Sequence, residues 1–229
     1  MTLETAVALV VFNRESATRA SMTAIRAARP KRLYVIADGP RPGVAGEPDA
    51  CARTRAAALE VDWNCDVHTN FSDVNLGVLH RPPSGFDWVF KQEERAIIIE
   101  DDCVAEPTFF RYCEELLARY EHDPSVMAVS GFCPLPMVDA PPSYRFQQLS
   151  VVWGWASWRR AWSCYHADLA SLEAAFRAHP GRLARAISTP KDAARRARLQ
   201  RRRPSAEVET GSGATFDGPR HLRRSTKNR

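Results

Sequence analysis

The run Ala96-Ile97-Ile98-Ile99, followed at once by Glu100-Asp101-Asp102, constrains this chain more than any other stretch. Four apolar residues rich in isoleucine, with polar neighbours on both sides, predict a strand buried on both faces, as in the middle of a parallel sheet. Three consecutive carboxylates at its end repel one another, and hydrogen bonds offset that repulsion poorly. A divalent cation offsets it well, because Mg²⁺ and Mn²⁺ prefer carboxylate oxygens and often arrive with a phosphate. In open α/β sheets ligands lie just beyond the carboxyl ends of strands, where these acids fall. Acids also commonly open helices, so an acidic helix start or a solvated loop competes for the same triplet.

The rest of the chain supports such a sheet. Ala6 to Phe12 and Leu33 to Ala37 are further apolar runs, separated by a segment of helical spacing from Ser16 to Ala28. Strand, helix, strand in that order is a βαβ unit, so the sheet begins parallel. A helix is expected near Ala50 to Leu59, a weaker strand at Cys65 to Thr69 and a short helix from Gly85 to Lys91. Phe109, Phe110, Cys113, Leu116, Leu117 and Tyr120 form the buried face of a helix opened by Pro107, and Val126 to Ser130 makes another strand. A helix from about Ser157 would stack Trp158 and Trp162 on one face.

With 229 residues the chain fits one domain with an appendage. No run approaches the roughly 20 apolar residues of a membrane span. The start, Met1 to Thr5, lacks the basic segment of a secretory signal, so a cytoplasmic protein is expected. Six scattered cysteines without a CxxC pair argue against a zinc ribbon or a disulfide framework and for reduced, buried thiols.

The net charge of +5 is unevenly spread, with 15 Lys and Arg against 4 Asp and Glu from residue 177 onward. The remainder is mildly acidic, so the basic balance belongs to the tail and not to a patch on the folded part. A domain over 1–184 and a basic, disordered or aberrant tail over 185–229 are therefore expected.

Six segments in order carry a resemblance: Val11 to Arg14, Ala37 to Arg41, Asn75-Leu76-Gly77, Ser84 to Phe90, the Glu100-Asp101-Asp102 acids, and Trp153 to Trp158. Over residues 5–170 the chain resembles bacterial glycosyltransferases of the GT-A fold, nucleotide-diphosphosugar transferases near glycosyltransferase family 2. The acids stand where such enzymes carry their DxD motif. The resemblance implies Asp102 as the ligand of Mn²⁺ or Mg²⁺, and Glu100 and Asp101 as contacts of the nucleotide-sugar. It implies Asp38 as the acid that meets uracil, with Asn13 and Arg14 at base and phosphate; an Asp-Gly turn and a solvated helix start are the plain alternatives. Arg81 is placed to pair with the diphosphate, or else is a surface arginine. Trp153 and Trp155 are candidates for an acceptor-sugar platform, with core packing as the rival.

The function implied is metal-dependent, inverting transfer of a sugar from a nucleotide-diphosphate donor, UDP-linked by the resemblance, to a glycan or lipid-linked acceptor. The catalytic base is unassigned: only Asp168, Glu173 and Asp192 remain as acids before the arginine run. The composition change near Ala184 raises the expectation of a truncated or frame-shifted end. Two alternatives stand beside it. A sugar-1-phosphate nucleotidyltransferase would want a glycine-rich phosphate loop soon after the first strand, and Asn13-Arg14-Glu15-Ser16 has no glycine. The other is an inactive binder of nucleotide-sugars or anionic surfaces; in either reading the arginine tail fits peripheral contact with the anionic inner face of a membrane, which would suit a lipid-linked acceptor. The tail lacks interleaved aromatics, so no specific nucleic-acid partner is expected.

Overall fold

A computed structural model describes residues 2–132, 144–147 and 150–165, together with residues 174, 177, 178, 223 and 224. The 185–229 tail, apart from residues 223 and 224, lies outside the described residues, as do Asp168, Glu173 and Asp192. The chain divides into two compact units, one of Met1–Tyr165 with Gly218–Arg229 and one of His166–Asp217. The sheet and the candidate site belong to the first.

Its elements alternate as the hydrophobic pattern predicts. Strand β1 (Ala6–Val11) leads into helix α1 (Glu15–Ala28), β2 (Arg32–Ala37), α2 (Glu47–Ala58), β3 (Asp66–Phe71), α3 (Arg81–Gln92) and β4 (Arg95–Glu100). There follow β5 (Cys103–Val104), α4 (Pro107–Arg119), β6 (Ala128–Ser130), β7 (Trp155–Trp158), α5 (Arg159–Trp162) and β8 (Arg223–Arg224). Six strands form one sheet in the order β3-β2-β1-β4-β7-β6. β1 pairs parallel with both β2 and β4, and β2 parallel with β3, while β7 runs antiparallel to β4 and β6. The expected mostly parallel α/β sheet flanked by helices is what the chain forms.

Alternation along the strands divides the core between two faces. Val7, Leu9, Val11, Ile97 and Ile99 pack with Ile25 of α1, Ala58 of α2 and Phe109, Phe110, Cys113 and Leu117 of α4. Ala6, Ala8, Ile36 and Ile98 face the other way, onto Phe86, Val89 and Phe90 of α3. Burying one such side chain contributes roughly 1.5–3 kcal/mol, which is why the run at Ile97 sits at the centre. The strand order turns back on itself between β1 and β4, so a crevice opens there at the carboxyl ends.

Among the boundaries that differ from the sequence expectation, two have a clear physical cause. Helix α3 begins at Arg81 and not Gly85, because Pro82 and Pro83 sit in its first turn, where an absent N–H costs nothing. Gly85 then lies against β2 so closely that a Cβ would come 2.5 Å from the Ile36 side chain. The helix expected from Ser157 is also displaced. Trp155–Trp158 is a strand, so Trp155 and Trp158 point to opposite faces, and only Arg159–Trp162 is helical. Trp158 packs in the α4 core with its indole N–H donating to Leu117 O at 3.1 Å, while Trp162 stacks beside Phe90 on the α3 side. The five cysteines among the described residues are free thiols, as expected, but only Cys51, Cys103 and Cys113 are buried; Cys65 is half-buried and Cys164, after the short α5, is exposed. No helix among the described residues is long and apolar enough to cross a membrane.

Candidate functional site

Three neighbouring parallel strands end at one edge, and each delivers polar residues there. The register places Val10 of β1 opposite Glu100 of β4, and Val11 opposite Ala37 of β2. Asn13 and Arg14 after β1, Asp38 after β2 and the acids from Glu100 therefore share one end of the sheet.

At the β1–β4 crevice, Arg14 reaches across to the acids. Its Nη2 lies 2.5 Å from Asp101 Oδ1 and its Nε donates to Asp101 Oδ2 at 3.3 Å. Its Nη1 donates to Asp102 Oδ2 at 3.1 Å. Asp101 is only 2% exposed and Asp102 is also buried, whereas the Arg14 side chain is 52% exposed. Burial pushes the Asp101 carboxyl above the ordinary range, against the pull of Arg14. The turn carrying these acids is pinned from both sides. Asp101 N–H continues the ladder to Val10 O at 2.9 Å, and the Ser21 hydroxyl of α1 donates to Asp101 O at 2.9 Å. Glu100 closes β4, half-buried.

Asp38 is the pivot of the neighbouring loop. Its Oδ1 accepts from the backbone N–H of Gly39 (2.9 Å) and Leu76 (2.8 Å). Its Oδ2 accepts from Gly77 N–H (2.9 Å) and Asn75 Nδ2 (3.1 Å). A carboxylate offers about four lone-pair sites, so the loop's own donors fill it. The Asn-Leu-Gly segment thus folds around Asp38, and Gly77 supplies the positive φ of 73° that the turn needs. No base contact is spare on this carboxylate unless a loop bond is exchanged.

Arg81 is not the surface arginine of the plain alternative. It is 4% exposed, with Nε donating to Ala37 O at 3.1 Å and Nη2 to Asn70 Oδ1 at 2.7 Å and to Asn70 O. It is a buried strut that ties the carboxyl ends of β2 and β3. Burial lowers its pKa from the usual arginine value. The tryptophans separate likewise. Trp155 is 8% exposed and packs edge-on against Phe86 in the α3-side core, the packing role that rivals an acceptor platform. Trp153 is 37% exposed and stands T-shaped against Phe132, one residue before the positive-φ Gly154.

The structure adds a network that the sequence did not disclose. Glu47, at the start of α2, accepts from Asn13 Nδ2 at 2.9 Å, from Arg41 N–H at 2.6 Å and from the Arg41 guanidinium at 2.5 Å. Arg41 in turn lies 5.8 Å from the centre of the Phe12 ring. Opposite charges flanking the Gly43–Gly46 turn were the only hint. The Arg41 hydrogen bonds hold the Glu47 carboxyl down to about 2 from an ordinary value of 4.5. A depressed acid adds stability that is complete above its unfolded pKa and vanishes as pH falls through the folded one. Glu47→Gln should therefore flatten the fall in melting temperature between about pH 4.5 and pH 2. Equal slopes for the two proteins would remove Glu47 as a source of acid sensitivity.

Among the described residues no three His, Cys, Asp or Glu side chains converge as metal ligands. Mg²⁺-like ions that arrive with a phosphate need only one or two carboxylates, however, and keep waters elsewhere. Asp101 and Asp102 are adjacent hard oxygen donors that already hold a cation, the Arg14 guanidinium, so they fit an ion of that kind.

No protein-family model matches the sequence, and no curated protein matches it. Solved structures give distant likenesses. A mannosyltransferase from Pyrobaculum calidifontis in complex with GDP-Man and Mn²⁺ is 16% identical over 54% of this chain and 34% of its own, with a TM-score of 0.37. A UDP-glucose pyrophosphorylase complexed with UDP-glucose is 8% identical over 56% of each chain, with a TM-score of 0.34. The 4-diphosphocytidyl-2C-methyl-D-erythritol synthase from Anaerococcus prevotii is 10% identical over 69% of this chain and 71% of its own, with a TM-score of 0.41. The chain thus spans about a third of the mannosyltransferase and just over half of the pyrophosphorylase.

Proposed function

We propose that this chain binds a nucleotide-diphosphate sugar at the carboxyl edge of β1, β2 and β4 and transfers the sugar to a glycan or lipid-linked acceptor. The observation that supports the reading is the meeting of Arg14 with the buried pair Asp101 and Asp102 at the point where the strand order reverses. Arg14 supplies a fork suited to phosphate oxygens. Asp102, with Asp101 beside it, would hold Mn²⁺ or Mg²⁺, whose chemistry when bound is Lewis-acid stabilisation of charge on a departing diphosphate. Asn13, fixed by Glu47, and the loop around Asp38 flank the nucleoside side of the crevice. Glu100, at the strand end, lies beside these groups and is assigned to donor hydroxyls. Trp153, the exposed member of the tryptophan pair, is the candidate for acceptor contact.

The connection after β1 favours this class over nucleotidyl transfer. β1 ends at Val11 and α1 starts at Glu15, so Phe12-Asn13-Arg14 leaves no space for a glycine-rich phosphate loop. Melting the purified protein with UDP, GDP, CMP or TDP, each with and without Mn²⁺, tests donor binding. A rise of several degrees with one nucleoside diphosphate and Mn²⁺ is expected. Incubation with the matching nucleotide-sugar then separates the classes. Release of nucleoside diphosphate supports sugar transfer, whereas pyrophosphate-dependent formation of nucleoside triphosphate would make the chain a nucleotidyltransferase.

A further inference from the structure

We propose that Arg14 is a built-in counter-ion for Asp101 and Asp102, one that a divalent cation must displace and that the donor diphosphate then receives. The inference rests on the nucleotide-sugar reading and adds to it how metal and donor depend on each other. The two carboxylates are fixed in place: both are buried, and their turn is pinned by the Val10 and Ser21 hydrogen bonds. Arg14 is the partner free to swing, since half of its side chain faces solvent at the start of α1.

Arg14 and a metal ion compete for the same oxygens. The guanidinium places one nitrogen 3.1 Å from Asp102 Oδ2 and two on Asp101. An ion held by Asp102 would face that guanidinium as a like charge across one carboxylate. Free metal must therefore expel Arg14 into water and gains only the acids in exchange. Metal that comes with a diphosphate gives Arg14 a new anion, matched to its fork. The consequence is synergy. Diphosphate raises the affinity for metal, and metal raises the affinity for diphosphate by the same factor, because coupling between two ligands is reciprocal.

Titration of Mn²⁺, followed by loss of the free-ion paramagnetic resonance signal, tests this with UDP absent and present. Wild type is compared with Arg14→Ala, Arg14→Gln and Arg14→Lys, each first shown to melt cooperatively. Without UDP, Arg14→Ala and Arg14→Gln should bind Mn²⁺ up to about fivefold more tightly than wild type, the scale of a half-exposed ion pair. Arg14→Lys keeps a cation and should show no such gain. The enhancement of Mn²⁺ affinity by UDP should shrink in both uncharged variants. Unchanged or weaker Mn²⁺ binding in those variants, with wild type still binding Mn²⁺ and UDP together, would overturn the counter-ion role and leave the donor site standing. Wild type that binds Mn²⁺ neither alone nor with UDP would overturn both.

Discussion

Asp102→Asn should weaken Mn²⁺-dependent UDP binding by more than about 100-fold, beyond the 10- to 100-fold typical of residues that only support a metal ligand. The side chain keeps its shape, and the amide oxygen still accepts from Arg14 Nη1, as Asp102 Oδ2 does at 3.1 Å. What disappears is the negative charge and, with it, most of the affinity of a hard oxygen for a hard cation. The share of stability carried by the Arg14 pair is small. The Arg14 partner is half-exposed, and such pairs contribute at most about 1 kcal/mol. Calorimetric titration with UDP and Mn²⁺, beside a melting curve without ligand, separates the two effects. Wild-type affinity in the variant would show that the metal, if bound, is held elsewhere.

Asp38→Asn should do the opposite, lowering stability by about 2–4 kcal/mol. The substitution turns one acceptor oxygen into an NH₂ group in a buried place where four N–H donors converge. Either Leu76 and Gly39 or Gly77 and Asn75 would then meet a donor, and a buried unpaired donor carries its full desolvation cost. The damage is local to the 72–77 loop, so amide exchange at Leu76 and Gly77 should quicken more than exchange in β1. Denaturant unfolding gives the total. A midpoint equal to wild type would show that the loop does not depend on this carboxylate. The pairing of the two variants is informative: one removes ligand binding from a stable protein, and the other loosens the frame around the ligand.

Much of the frame was legible because its strands are buried on both faces. Runs such as Ala96 to Ile99 and Val7 to Val11 have no polar residue to blur them, and their acids or Asn-Arg ends mark where the sheet stops. Helix α3 was less legible, since Arg81-Pro82-Pro83 reads as a loop until the first-turn role of proline is considered. Trp158 was assigned to a helix because a spacing of four from Trp162 fits one. Pairing with β4, Arg95 opposite Trp158, is a long-range contact that no local pattern carries. The site shows the same limit. The acids and Arg14 were visible as residue types, but Asp38 and Arg81 owe much of their placement to backbone atoms, which every residue possesses. Glu47 stayed hidden for a related reason: its partners, Asn13 and Arg41, are brought to it by two different strands.

The antiparallel course of β7 has an evolutionary consequence. β6 runs with β4 and β7 against it, so the connection between them, residues 131–154, departs from and returns to the edge that holds the acids. Its two ends are fastened to each other by Gly131 N–H to Gly154 O at 2.9 Å. Lengthening a connection whose ends are already joined adds only about 0.6 kcal/mol of closure cost per doubling. It shifts no strand register, because each strand is held by its own neighbours. Such a segment is a replaceable cassette: in descendants of this chain its length and sequence can be rewritten, while the sheet and the acids at its edge are inherited whole.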